Sequence, residues 1–471
     1  MELRNTPLTL LLAATVGLAM ATPEVAPKAA ERYWPQWRGP LHTGEAPRGN
    51  PPLEWGEEKN VRWKVEVPGR GQSTPVVWND LVFVTTAVPV GEPPATGALE
   101  IRPTPSPEAA ATPQAADAPQ AGPPRGSRQG GGPPVAVKAG ILDFVVQAHN
   151  RSDGKVRWRK VVKTLQPHEG THKDGGYACG SALTDGERIY AFFGSRGLYA
   201  LDLKGNLIWE KQLGMMQTRL SFGEGASPVL HGDTLVVNWD HEGRDFLVAL
   251  DRKTGKELWR TEREEPTSWA TPIVVMSGGK PQVIVNATNR VRGYDLATGK
   301  VLWEAGGMTQ NVIPSPVSAD GMLYVTSGFR GTALFAVRLA DAQGDITGKP
   351  AVVWSYDKDT PYVPSPLLYK DGLYFLKSNT AILTRIDVTT GKPSYTQRLE
   401  GLSNVYASPV AVAGRVYVVG REGATTVLEA GPVVKVLATN TLGDGFDASP
   451  ALVDDEIYLR GQKYLYRISK D

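Results

Sequence analysis

The chain is 471 residues long and carries 51 Lys and Arg against 49 Asp and Glu, a formal charge of +2 that leaves no electrostatic footprint for nucleic acid. Its 51 glycines and 37 prolines predict frequent turns, few long helices and many short strands. A single cysteine, Cys179, excludes an intramolecular disulfide and any site that needs two thiols.

At the N-terminus, Arg4 precedes an apolar run from Leu8 to Ala21 that ends in Ala19-Met20-Ala21, the pattern of a signal peptide over residues 1–21. The run is too short to span a bilayer, and no later segment is long enough, so the mature chain is expected to lack a transmembrane span. Export without disulfides points to an extracytoplasmic setting, periplasmic or secreted, in a bacterium. Residues 22–60 read as an N-terminal extension, and Val61-Arg62-Trp63-Lys64-Val65 as a strand. Residues 88–140 are rich in Pro, Ala and Gly and hold no aromatic residue, which predicts a disordered insertion within one repeat unit.

From residue 61 onward the chain repeats. A hydroxyl residue, usually followed by Pro, recurs at Thr74, Ser181, Ser227, Thr271, Ser315, Ser365, Ser408 and Ser449. Spacings run from 41 to 50 residues apart from the gap that contains the insertion. Proline is tolerated at a strand's first residues, so each motif marks a strand start. A turn such as Asp320-Gly321 follows, then a second strand, and then a third such as Phe246-Leu247-Val248-Ala249-Leu250-Asp251. Thr-Gly-Lys turns at 254–256, 298–300, 347–349 and 390–392 lead to a fourth strand carrying Trp158, Trp209, Trp259, Trp303, Trp354 or, in the sixth unit, Tyr395. Each Trp is expected to wedge between neighbouring units.

Four antiparallel strands per unit make a propeller blade, so the predicted fold is all-β, an eight-bladed β-propeller spanning 61–471. Seven blades is the alternative if one motif is spurious. The C-terminal run Tyr464-Leu465-Tyr466-Arg467-Ile468 matches a third strand, and the strand at Val61–Val65 is expected to complete the last blade and close the ring.

The run Ala249-Leu250-Asp251-Arg252-Lys253-Thr254-Gly255-Lys256-Glu257-Leu258-Trp259, echoed at Tyr294 to Trp303, resembles the repeat of pyrroloquinoline-quinone (PQQ)-like propellers. That superfamily includes quinoprotein alcohol dehydrogenases and BamB-type outer-membrane assembly lipoproteins. Trp34-Pro35-Gln36-Trp37-Arg38-Gly39-Pro40 is similar to the start of many secreted members. The resemblance implies the fold and leaves two functions open. One is a non-catalytic scaffold, expected as a monomer, that binds a protein or small-molecule ligand and needs no cofactor. The other is a PQQ- and calcium-dependent oxidoreductase. Against the second, the dehydrogenases typically hold the quinone against a disulfide of adjacent cysteines, which Cys179 alone cannot form, and no Cys-x-x-Cys-His haem site is present.

Strand alternation puts the inter-blade connections and the loops between second and third strands on one face, the face expected to bind. The connections bring His168, Glu169, His172, Asp174, Arg219, Glu224, Trp269, Tyr406 and Asp447. The loops bring Asp240, His241, Asn289, Arg290, Arg330, Lys377, Asn379 and Arg421. His168-Glu169-Gly170-Thr171-His172 reads as a zinc-protease motif, but Pro167 and Gly170 deny it the helix that chemistry needs. A non-helical metal site would have to use His168, His172 and His241 with Asp174 or Glu224. No catalytic residue is assigned, and Cys179 is expected to be a small buried apolar side chain.

Overall fold

The computed structural model describes residues 30–91, 100–101 and 139–470. The expected signal peptide, the start of the extension and most of the 88–140 insertion lie outside the described residues. Eight sheets follow one another along the chain, each of four antiparallel strands, two of them with an added fifth. The fold is the eight-bladed all-β propeller that the repeat predicts. Among the described residues no helix is long and apolar enough to cross a membrane.

Each blade opens on an inner strand, such as Val76–Trp78, Leu367–Tyr369 or Val410–Val412, directly after the Pro of the repeat motif or, in the second blade, after Ala182. The hydroxyl residues before the prolines form a belt around the central channel. The backbone N–H of each donates to the hydroxyl oxygen of the next, from Thr74 to Ser181 and onward through Ser227, Thr271, Ser315, Ser365 and Ser408 to Ser449, over 2.8–3.0 Å. That geometry explains why the motif needs Ser or Thr: a short side chain with an acceptor oxygen satisfies a buried N–H of the preceding blade. Between the last blade and the first the link is missing, and the Thr74 hydroxyl is buried without a partner.

The last blade has the order Val61–Glu66, Tyr464–Ser469, Glu456–Arg460, Ala451–Val453, so the N-terminal strand supplies its outermost member. Val65 pairs with Leu465 and Lys64 with Tyr466. Across the same seam, at the turns beyond the inner strands, Arg151 of the first blade reaches Glu456 at 2.7 Å and Asp454 at 3.1 Å.

The outer-strand tryptophans pack onto the glycine turn of the following blade. Trp209 donates its indole N–H to the Arg252 carbonyl, Trp259 to Leu296 and Trp354 to Val388. A Cβ on Gly255, Gly299 or Gly391 would lie within 2.4–2.8 Å of those rings. The turn thus needs Gly for a φ near +70° and for the space the indole fills. Trp63 and Gly154 repeat the arrangement across the closing seam.

Trp303 departs from this expectation. It is fully buried and donates to Gln282 within its own blade. The next blade offers it no glycine turn, because the chain between Ala333–Arg338 and Val352–Tyr356 makes an excursion. Gly344–Asp345 pair parallel to Trp303–Glu304, so the Thr-Gly-Lys at 347–349 ends that excursion and is not a tight hairpin. At the other irregular site, Leu81–Pro89 pairs with Leu142–Asn150 as far as Pro89 opposite Leu142. The expected insertion boundary at 88 therefore falls inside a strand, and the backbone of Glu100–Ile101 adds parallel to the outer strand at Arg159 and Lys160.

Candidate functional site

The central channel is closed at one end by the N-terminal extension. An inner strand has an unpaired edge facing the channel, and such an edge needs hydrogen-bond partners when it is buried. Residues 34–55 supply them. Trp34 bridges Val77, the Pro35 carbonyl accepts from Thr184, Thr43 accepts from Leu368, and Ala46 donates to the Ala411 carbonyl while the Ala411 N–H donates to Gly44. Asn440 then takes the N–H of Trp55. The segment thereby ties blades one, two, six and seven together from below, and Trp37 becomes the floor of the space above it.

Above that floor is a cavity of about 250 Å³, open at the other end. Belt residues Ser181, Ser227, Thr271, Ser408 and Ser449 form its lower wall. Around its mouth stand Phe222, Trp269, Tyr362 and Tyr406 with Gln72, His172, Asp174, Cys179, Glu224 and Asp447. Arg421 organises one side. Its Nε donates to Asp447 at 2.5 Å, its terminal nitrogens lie 3.3 Å from Asp174, and its guanidinium covers the Tyr406 ring at 4.1 Å. Burial alone would lower its pKa, but the bonds to Asp447 and the charge of Asp174 hold it above the usual arginine value. Tyr406 donates to Asp174 at 3.3 Å, and burial, with that carboxylate beside it, pushes its phenol up to about 12.

His172 accepts the Asp174 N–H on Nδ1, which leaves the ring proton on Nε2. Its ring meets Phe222 edge-on. Cys179 is half-buried in the wall and not enclosed in a core; its thiol lies 2.9 Å from the Gln72 amide oxygen. Burial pushes that thiol up to about 11, so it is protonated at neutral pH.

Of the residues expected on this face, His172, Asp174, Glu224, Trp269, Tyr406, Asp447 and Arg421 are brought together at the mouth. Others are used to hold loops. Glu169 accepts from the Thr218 amide and hydroxyl, and His168 bonds the Met216 carbonyl. His241 bonds the Arg244 carbonyl and the Gln217 amide. Asp240 is fully buried in a bidentate pair with Arg263. Glu224, itself at the mouth, is held there by Ser195 and Arg196.

The three histidines therefore do not converge on one point, and residues 168–172 run through bends with no helix. Arg219, Asn289, Arg290, Arg330, Lys377 and Asn379 do not line the cavity. Arg290 pairs with Asp345 and Lys377 with Asp359 on the rim. The Asn379 side chain accepts the Val363 N–H, and Asn289 donates to the Glu264 carbonyl. The backbone N–H of Arg219 is bound by Thr267, and Arg330 lies over Phe329. Sequence reasoning missed Trp37, Gln72, Phe222 and Tyr362. For Trp37 a signal existed in the Trp-Pro-Gln-Trp-Arg-Gly-Pro run.

Comparison with known proteins agrees with the repeat. The family model described as outer membrane protein assembly factor BamB matches residues 135–244, 200–344 and 244–471. The BamB of Nitrosomonas eutropha is 25% identical over 241 residues, 48% of this chain and 52% of that protein. A polyvinylalcohol dehydrogenase of Sphingopyxis sp. is 28% identical over 180 residues, 32% of this chain and 28% of that one. The chain thus spans about half or less of the length of these curated relatives. The designed protein Ika8 superposes with a TM-score of 0.50 at 11% identity, over 71% of this chain and 94% of its own, a likeness of fold alone. Matched over most of its blades by one family description, this chain belongs to the PQQ-like propeller family described as outer membrane protein assembly factor BamB.

Proposed function

We propose that this protein is an extracytoplasmic, non-catalytic binding scaffold that receives a small ligand, or a projecting segment of a partner protein, in the blind channel above Trp37. The observation that carries the reading is the cavity of about 250 Å³, floored by an indole and walled by aromatic rings with a fixed Asp174–Arg421–Asp447 cluster at its lip. Concave apolar walls with a few convergent polar groups are the usual form of a ligand site. Membership of a family described as an assembly factor supports a protein partner, and with it a periplasmic setting. Nothing in the charge balance favours nucleic acid.

The quinone of the related dehydrogenases does not fit the groups present. Its three carboxylates would meet Asp174, Glu224 and Asp447, while the guanidiniums of Arg421 and Arg196 are already engaged by those same side chains. Cys179 has no neighbouring thiol with which to make the expected platform. No redox step is therefore assigned to this site.

The test is titration of the full chain with the quinone and calcium, alongside pull-down of envelope proteins, comparing wild type with Trp269→Ala and Arg421→Met. The scaffold reading expects capture of a partner that either substitution abolishes. Saturable quinone binding with dye reduction by an alcohol would overturn it.

A further inference from the structure

At the lip of the channel, charge is shared unevenly. Glu224 is matched by Arg196 at 2.8 Å, a closed pair with both side chains buried. Asp174 and Asp447 instead share the single guanidinium of Arg421. Asp447, 5% exposed, takes the short bond at 2.5 Å. Asp174, 23% exposed, is left with contacts of 3.3 Å from Arg421 and the Tyr406 hydroxyl, long for bonds to a charged acceptor, which run to about 2.7–2.9 Å. One negative charge is therefore left over, and it rests on the more accessible carboxylate. The cations Arg70 and Lys173 are exposed and line a separate cavity that shares only His172, Gly175 and Gly176 with the channel, so water and salt screen them.

The aromatic residues of the mouth have spent their polar hydrogens. The Trp269 indole N–H is bonded to the Gly223 carbonyl at 2.7 Å, and the Tyr406 hydroxyl to Asp174. With those hydrogens used, the rings meet a ligand as π surface, which attracts cations. The belt hydroxyls of the lower wall each accept one N–H and can still give or take a bond, so they favour neither sign of charge. The site already holds one organic cation: Arg421 lies over the Tyr406 ring at 4.1 Å, bonded to both Asp174 and Asp447. Trp269 offers a second ring across the opening, because it precedes the fourth blade, four places round the eight-bladed ring from Asp447, which precedes the eighth. Backbone ties it to the Asp174 connection, since the His172 N–H donates to the Phe222 carbonyl next to Gly223.

We propose that the channel takes an organic cation, an ammonium or guanidinium on a short apolar stem, with its charge beside Asp174 and its stem against Trp269. This names the ligand chemistry of the scaffold reading above and rests on it. The cavity, of about 250 Å³, is below the roughly 300–1,000 Å³ of sites for larger ligands, which suits one Lys or Arg side chain of a partner protein, or a free amine of that size. An anion would meet the surplus negative charge with no uncommitted guanidinium to receive it.

The experiment titrates the full chain, by ligand-observed NMR, with butylammonium, 1-butanol and butyrate, probes that share a stem and differ in charge. Butylammonium is expected to bind about tenfold or more tightly than butanol, and butyrate not to saturate. Asp174→Asn should bring butylammonium down to the level of butanol. Trp269→Leu, which keeps apolar bulk without a ring, should weaken it about 3- to 10-fold, with far-UV circular dichroism showing each variant folded. Should a variant fail to fold, the charge series on wild type decides alone. Agmatine and the blocked peptide acetyl-Gly-Arg-Gly-amide separate the two sources: peptide binding as tight as agmatine supports a basic side chain of a partner, and agmatine binding without the peptide supports a free amine. Butanol or butyrate binding as tightly as butylammonium overturns the inference, and so does the lack of saturable binding by any of the probes. Partner capture that is lost in Arg421→Met tests the scaffold reading separately and stands or falls apart from either result.

Discussion

The two ends of the channel are built from the same inner strands and solve opposite problems. At the floor, backbone of the extension pairs with strand edges and Arg38 bonds to carbonyls, so specificity comes from main chain that any sequence could supply. At the mouth, side chains do the work: Glu169, Asp240, His241 and Glu224 hold the connections, and Asp174, Arg421 and Asp447 lie at the opening. The difference teaches that a propeller face becomes a site where its connections are long enough to be propped by one another's side chains, and a seal where an extended segment completes the strand edges.

The largest test of this contrast is removal of residues 61–67, which takes the outer strand from the last blade along with Trp63 and its seam contact. The ring should open and cooperative melting should be lost; an unchanged melting temperature would contradict the closure. Next, Asp240→Ala leaves the buried Arg263 charge unpaired and should cost about 3–5 kcal/mol in denaturant unfolding, with the mouth loosening before the floor in hydrogen exchange.

A pH effect follows from His149, fully buried beside the turn at Gly154 on the floor side. Burial lowers its pKa from 6.5 to about 4, against a smaller opposing effect of its bond to the Gly154 carbonyl. The unfolded chain takes up a proton near 6.5 that the folded chain refuses until about 4. The contribution is therefore intact above the higher value and shrinks as pH falls through that window, by about 3 kcal/mol in all. His149→Gln should flatten this part of the stability profile.

Smaller effects separate belt from rim. Ser408→Ala removes the acceptor for the buried Ser365 N–H and should cost about 1–2 kcal/mol by chemical denaturation. Lys377→Ala breaks only the half-exposed pair with Asp359 and should change stability by under about 0.5 kcal/mol. If the two substitutions cost the same, the belt is not a structural element.

Blade number, strand order and ring closure were legible because each is written in a local repeat: hydroxyl-Pro before an inner strand, Asp-x-x-Thr-Gly at the turn, Trp after it. The Asp251 carboxylate, for instance, caps Thr254 through both its N–H and its hydroxyl, and Asp295 and Asp387 do the same for Thr298 and Thr390. The face carrying the long connections followed from strand alternation alone. Within that face, seven of the seventeen expected residues line the mouth or pair at it. His168, Glu169 and His241 looked like ligands because polar residues in loops do; nothing local says that their partners are backbone groups some 3 to 50 residues away.

What the sequence by itself determined is the periodic part of this protein, since a repeat's packing needs are met by the next copy of the same residues. Only the tertiary structure decided the aperiodic part. The extension at 34–55 contacts strands as much as 387 residues distant, so its role as floor, the burial of Arg38 and the displacement of Trp303 have no local signature. Each arises from which unpaired edge or empty volume the closed ring leaves over, and that exists only once all eight blades are in place.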